Sequence, residues 1–482
     1  MKKYIITFIV VSLFIGCADD DKYERLNEDP KNPTTVSEDF LFTSAVVSLG
    51  DLLASPNVNT NIYRFVSQYL TSTEYLDEPN YKLVSRNVPQ TQWSETYRDV
   101  LLDLDDAKSY IEEKENLTQA EKDARLGQIE VIQVYAWQML VDTFGDVPYT
   151  EALRAQEITN PVYDDASGIY EDLLTRIQAA RTMLQAGQGF SGPDVIYMGD
   201  MAKWEKFANS LQLRLALRVA DVSGMQSMAQ TAAEDAISSS AGVMASNADN
   251  AVIQYQSSPP NTNPLWEDLV QSGRSDYVSA NTIVDIMNDL DDPRRSYYFD
   301  DNLGAGVFDG GTYGGSNTYA NYTHIGDAFK DPTHPGIYMD YAEVSFLLAE
   351  AAARTYATPS TADVHYEDGI TASMNYAGIT NAADISAYIA QPDVAYDATN
   401  WRESIGEQFW IAMFDNPFQG WAVWRKFDAP TFNLPEDTNN PVPLRYTYPV
   451  SEQNLNESNY NAASSAIGGD EQQTALFWDT MQ

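Results

Sequence analysis

Apolar residues return every three or four positions in one segment after another of this chain. That spacing puts them on one face of a helix, and a chain so patterned buries itself by packing helix on helix. The strongest stripe is Leu126, Ile129, Ile132, Ala136, Met139 and Thr143. Thr118 and Glu121 form a capping box ahead of it, and Gly145 and Pro148 end it. Trp93, Tyr97, Leu101, Leu104 and Ala107 draw another face, running to about Glu115. Ile169, Leu173, Ile177, Ala180 and Leu184 draw a third, stopped at Gly187, and Trp204, Phe207, Leu211, Leu215 and Val219 a fourth, ending by Gly224. Further helices are predicted over 37–53, 60–69, 225–239, 279–290, 340–355, 361–377, 384–390 and 403–415. The tail after Lys426 reads as Pro/Asn-rich coil with a short last segment near 474–481.

Helix-turn-helix units of roughly 35–40 residues point to a tetratricopeptide-like solenoid. Asp340 to Ala377 is the best example, with Ala349, Ala351 and Ala352 small enough to let two helices approach. The texture changes between Asn247 and Pro335, where Pro, Gly, Asn, Tyr and Asp recur. Leu303 to Gly326 is a Gly/Tyr/Asn segment of 24 residues, and irregular loops of that length are uncommon unless they serve a function. The expected fold is therefore mainly α, a TPR-like helical-pair solenoid scaffold with an irregular, loop-rich aromatic lobe. Its segments are a helical TPR-like lobe over 37–246, a loop-rich ligand-facing insertion over 247–335, and a helical TPR-like repeat with C-terminal coil over 336–482.

The beginning of the chain is of another kind. Lys2 and Lys3 precede an apolar run from Tyr4 to Ile15, followed by Gly16 and by Cys17, the only cysteine in 482 residues. The run is too short to span a bilayer, which takes roughly 20 residues, and has the charge order of a secretory signal. Leu13 to Cys17 looks like a bacterial lipobox, with Phe14 less typical. The reading is a signal peptide over 1–16, lipidation of Cys17, and a lipid anchor and tether over 17–36; an ordinary signal peptide with an incidental cysteine is the alternative. Lipidation removes the liability of an unpaired thiol in a secreted chain, and several buried acyl chains anchor firmly. The formal charge of −41 repels nucleic acid.

Motifs for covalent chemistry are absent. There is no G-x-S-x-G, H-E-x-x-H or Walker loop, and His324, His334 and His365 do not have metal-site spacing. Acidic neighbours such as Glu267 and Asp268 arise by chance among 70 acidic residues. A glycosidase pair needs a defined separation, which sequence does not provide. Asp289, Asp291 and Asp292 suit either Ca²⁺ or a solvated acidic surface, the second being favoured. No metal or cofactor is expected.

Aromatics reach 12% of the chain, with 30 Tyr and 9 Trp. Trp93, Trp137, Trp204, Trp410, Trp421 and Trp424 fall on helical stripes or strong motifs and read as core. Asp146, Asp200 and Arg425 read as residues that pin helix ends and loops. Rings on loops suit sugar faces. The candidates are Trp266, Tyr313, Tyr319, Tyr322, Tyr75, Tyr81 and Trp401, with Arg274, Asn317 and Asn321 as polar partners.

Eight segments in order resemble the SusD/RagB family of outer-membrane nutrient-binding lipoproteins, in particular its second SusD-like branch. They are Leu26 to Val36, Asp142 to Ala152, Tyr197 to Arg218, Asp291 to Arg295, Tyr341 to Ala352, Gly369 to Gly378, Phe418 to Phe432 and Pro443 to Asn456. Arg425-Lys426 departs from the pattern, where two arginines are expected. The resemblance implies a TPR-like scaffold and a surface lipoprotein of the outer membrane. Such a protein captures oligo- or polysaccharide and delivers it, as a lid, to a SusC-like TonB-dependent transporter, without catalysis. Ala18 to Asp21 resembles the acidic export signal of such lipoproteins. A peptide-capturing member of the family is the alternative, and a surface glycan-degrading enzyme the next.

Overall fold

The predicted stripes become helices, and their ends carry the predicted caps. The computed structural model describes residues 36–481; the signal peptide, Cys17 and the tether as far as residue 35 lie outside them. From the N-terminal side the helices are α1 (Glu38–Ala54), α2 (Asp103–Glu113), α3 (Gln119–Phe144), α4 (Ala166–Leu184), α5 (Met201–Arg218) and α6 (Gln226–Ser238). After the loop-rich stretch, which holds α7 (Asn281–Asp289), come α8 (Tyr341–Ala353), α9 (Ala362–Tyr376), α10 (Ala382–Ile389), α11 (Trp401–Ala412) and α12 (Pro417–Phe427). Thr118 and Glu121 close the capping box at the head of α3, Asp200 caps α5, and Asp146 accepts from the first amide of α4 at 2.9 Å.

Packing follows chain order in pairs. α3 lies on α4, α5 on α6, α8 on α9 and α11 on α12, while α4–α5, α5–α8 and α8–α11 contacts join one pair to the next. This is the TPR-like scaffold, mainly α as expected. α9 approaches α8 through Gly369, where a Cβ would stand 2.9 Å from the Phe346 ring. The alanines of α8 noted above are joined in this role by a glycine on the facing helix.

Charges as well as apolar side chains connect the pairs. Arg214 of α5 meets Glu343 of α8 at 3.1 Å, Arg218 of α5 meets Asp142 of α3 at 3.3 Å, and Lys426 of α12 meets Glu350 of α8 at 2.8 Å. All six are buried. An unpaired charge at such depth is costly, which penalises any register that separates these partners. Burial pulls Lys426 down to about 8 and Arg425 down to about 9. Arg425 donates to the carbonyls of Asp142 and Leu444 at 2.7 and 2.9 Å and lies 3.6 Å from the Trp421 ring centre. It is a structural pin, as its position in the sequence motif suggested.

Two short antiparallel ribbons organise the irregular lobe: β1 (Leu70–Ser72) with β3 (Tyr277–Ser279), and β2 (Ala251–Ile253) with β4 (Gly336–Met339). The helix expected over 60–69 shrinks to Tyr63–Val66, because Gln68 takes a left-handed φ of 55° and the chain turns into β1. The C-terminal coil also needs correction. It contains α13 (Val450–Leu455) and α14 (Glu457–Ala466), while 474–481 forms no helix. The same tail returns to α3, with the Tyr446 amide donating to Thr143 at 2.9 Å and Arg445 Nη2 to Phe144 at 2.8 Å.

Candidate functional site

The β1–β3 ribbon brings two of the sequence candidates together. Because it is antiparallel, the chain leaving β1 runs beside the chain entering β3. The Thr73 amide donates to Asp276 at 2.8 Å and its hydroxyl to Ser275 at 2.7 Å. Tyr75 and Arg274 therefore sit at the same end of the ladder. Tyr75 is 42% exposed, with the Arg86 guanidinium 4.8 Å from its ring centre. The Arg274 side chain is 39% exposed and lies 3.8 Å from Asp276.

Asp268, one of the carboxylates that act on Arg274, lines a cleft of about 350 Å³ together with Asp51, Glu95, Asp99 and Glu267. Half-buried Trp266 stands on the one-turn helix Pro264–Trp266, next to Glu267 in sequence, and Asn263 caps that turn. Two widened π-helical turns border the cleft, Glu95–Leu102 and Glu267–Gln271. Such turns are frequent at functional sites. Burial raises Asp51 to about 6 although Tyr255 donates to it at 2.7 Å, and burial raises Glu95 to about 6. The cleft accepts hydrogen bonds and opposes anions. Among the described residues no group of three or more His, Cys, Asp or Glu is placed to hold a metal ion.

Three candidates lie underneath this face. Tyr81 and Tyr313 are 2% and 1% exposed, their ring centres 5.9 Å apart. Tyr313 donates to the Phe65 carbonyl at 2.7 Å, and Gln68 donates to the Tyr81 hydroxyl at 3.0 Å. Asn317 is also buried, and its amide donates to the carbonyls of Ser72, Thr312 and Gly315, each at 3.0 Å. These enclosed side chains offer no face to a ligand as they stand; they brace the loop that carries Tyr75. The Gly-rich segment makes the enclosure possible, since a Cβ at Gly311 would stand 2.6 Å from Val278.

The other candidates lie elsewhere. Tyr319 stacks on His324 at 3.7 Å and 16°, the Tyr322 carbonyl accepts from Asn302 at 2.9 Å, and Asn321 is exposed. Trp401 opens a separate cleft of about 660 Å³ at the head of α11. Asp51, Glu95 and Asp99 went unnoticed in the sequence because they lie within helical segments, where acidic residues read as solvated faces.

A family model described as "starch-binding associating with outer membrane", SusD-like in name, matches residues 30–449. A search among curated proteins found no match. Among solved structures, a chitin-binding protein is 25% identical with a TM-score of 0.78, over 92% of this chain and 100% of its own. A SusD-like protein of Bacteroidetes AC2a is 23% identical with a TM-score of 0.80, over 92% and 100%. A chitin-binding SusD homologue from Flavobacterium johnsoniae is 22% identical with a TM-score of 0.79, over 92% and 99%. Among the described residues no helix is long and apolar enough to cross a membrane.

Proposed function

This chain belongs to the SusD-like family, whose description is starch-binding in association with the outer membrane, and from that membership we propose that it captures oligo- or polysaccharide at the cell surface and delivers it to a SusC-like TonB-dependent transporter. It acts as that transporter's lid, is held to the membrane through lipidated Cys17, and performs no catalysis. The observation that carries the reading is the family match across 30–449.

The ligand-facing insertion over 247–335 meets the early loop at the end of the β1–β3 ribbon, and capture is assigned to that face. Tyr75 and Trp266 supply flat rings, while Arg274 and the neighbouring carboxylates take the hydroxyls. Tyr319, Tyr322 and Asn321 extend the same insertion; Tyr81, Tyr313 and Asn317 act by holding the loop in place. Two of the similar structures are named as chitin-binding, so chito-oligosaccharides are the first ligands to try. Peptide capture is the second reading, favoured by the five carboxylates of the cleft, among them Glu267, the sequence neighbour of Trp266, which suit a Lys or Arg side chain.

The test uses the protein lacking residues 1–17 in affinity electrophoresis across a glycan panel, with calorimetry on each hit and an assay for new reducing ends. Retardation without new reducing ends is expected. Tyr75→Ala and Trp266→Ala each remove a ring contact of about 0.5–1.5 kcal/mol, which weakens Kd by roughly 2- to 13-fold. Release of reducing sugar would move the protein to the enzymes. Silence on every glycan with retention of a basic peptide would select the second reading.

A further inference from the structure

The Trp401 cleft has its own walls and its own chemistry. It lies between the head of α11, the end of α12, the turn over 428–431, Met481 and Ile286 of α7. At about 660 Å³ it is within the range of small-molecule sites. Trp401, Phe427 and Pro430 supply an apolar wall, while Asn400 and Thr431 supply an amide and a hydroxyl. Flat apolar surface beside polar groups of both kinds is what a sugar ring requires.

Trp401 is held firmly. The guanidinium groups of Arg354 and Arg402 lie 5.4 and 4.5 Å from its ring centre. Both are gathered by one carboxylate, that of Asp221, with Arg354 Nη1 and Arg402 Nη2 each 2.9 Å from Oδ1. Arg354 is tied in turn to Glu350 at 2.8 Å. A ring fixed before binding loses little freedom on binding.

Glu407 lines the same cleft and is half-buried, yet its carboxyl group has no hydrogen-bond donor among the described residues. Burial, with Glu403 and Asp393 nearby, raises it to about 7. A carboxyl so placed is suited to a hydroxyl, which can donate to it or accept from it. Glu403 shares the lining, and the cation there, Arg402, is already paired with Asp221. Anionic sugars would face the carboxyl groups of Glu403 and Glu407 with no uncommitted cation among the described lining residues.

We propose that the Trp401 cleft is a second carbohydrate subsite, separate from the loop face, that takes one or two rings of a neutral pyranoside and rejects acidic sugars. This rests on the reading of the protein as a glycan-capture protein. Two sites on one chain would hold a long polymer at two points, which raises its effective affinity without any new contact.

The test is calorimetry with N-acetylchitotriose, maltotriose and trigalacturonate on the protein lacking residues 1–17. A neutral trisaccharide is expected to bind at two sites per chain. Trp401→Ala should remove one, and Glu407→Gln should weaken that one about tenfold. The Tyr75→Ala/Trp266→Ala pair should weaken the other and leave the Trp401 site intact. Thermal melting of each variant reports whether it folds. A crystal of the wild-type chain soaked in the same sugar reads the cleft directly should Trp401→Ala not fold. A single site that survives Trp401→Ala but is weakened by the Tyr75/Trp266 pair would overturn the second subsite and leave glycan capture standing. Trigalacturonate in the cleft would overturn the preference for neutral sugars. No binding of any sugar by the wild-type chain would overturn both readings.

Discussion

Arg294 and Asp292 are both fully buried and meet at 2.6 Å. Gln408 and Ser373 take further bonds from Arg294 at 2.9 and 3.1 Å, and Tyr388 donates to Asp292 at 2.8 Å. Removing one partner leaves the other charged and enclosed. Arg294→Ala is therefore expected to cost about 3–5 kcal/mol in urea unfolding, and a loss below 1 kcal/mol would contradict the pairing. Asp289 and Asp291 are exposed, and Asp291 pairs with Arg295 at 3.1 Å. The solvated reading of the acidic cluster holds for those two and not for Asp292. Tyr75 and Tyr81 teach the same point at the site. They lie six positions apart in one loop, yet one is 42% exposed and the other 2%. Loop burial is decided by distant partners, here Tyr313 and Gln68, and local sequence carries no signal of it.

At the level of elements, legibility followed the length of the stripe. α3 to α6 could be read because each repeats its apolar face over several turns. α13 and α14 could not, since Ala463 is the one buried residue recorded for the two helices. Strands of three or four residues are too short to show alternation, and a π-helical turn such as Glu95–Leu102 leaves the apolar spacing nearly unchanged. The contact between α8 and α9 was anticipated from the alanines of α8, but its closest point is Gly369 against Phe346. Gly369→Ala keeps helical backbone and adds one methyl group where there is no room. Overpacking of this kind costs about 1–3 kcal/mol, and the expected result is a lower urea midpoint with an unchanged slope. A neutral or stabilising outcome would mean that the two helices separate freely.

The whole molecule carries a formal charge of −41, and several of its carboxyl groups are held above their ordinary values. Burial raises Asp51, Glu95 and Asp146 to about 6, and Asp340, Glu407 and Asp479 to about 7. Each binds its proton more tightly folded than unfolded. The stability this contributes is fully present below the unfolded value near 4 and is lost as pH rises through 6 to 7. Glu130 and Asp221 are held low by arginine partners despite burial, and what they contribute is lost only as pH falls below about 4.5. Tm at constant ionic strength should therefore be higher at pH 5 than at pH 8. A Tm that rises from pH 5 to pH 8 would show that these carboxyl groups are not buried as described.

An open helical array behaves as a spring: its two ends are free, and a pull on one draws the coils apart. Here the segment after α12 is riveted back to an earlier helix, where Tyr446 and Arg445 grip the last turn of α3 and the Trp421 indole donates to Pro443 at 2.8 Å. Rivets of this kind hold α12 and the segment after it on α3 under loads that would draw the coils of a spring apart.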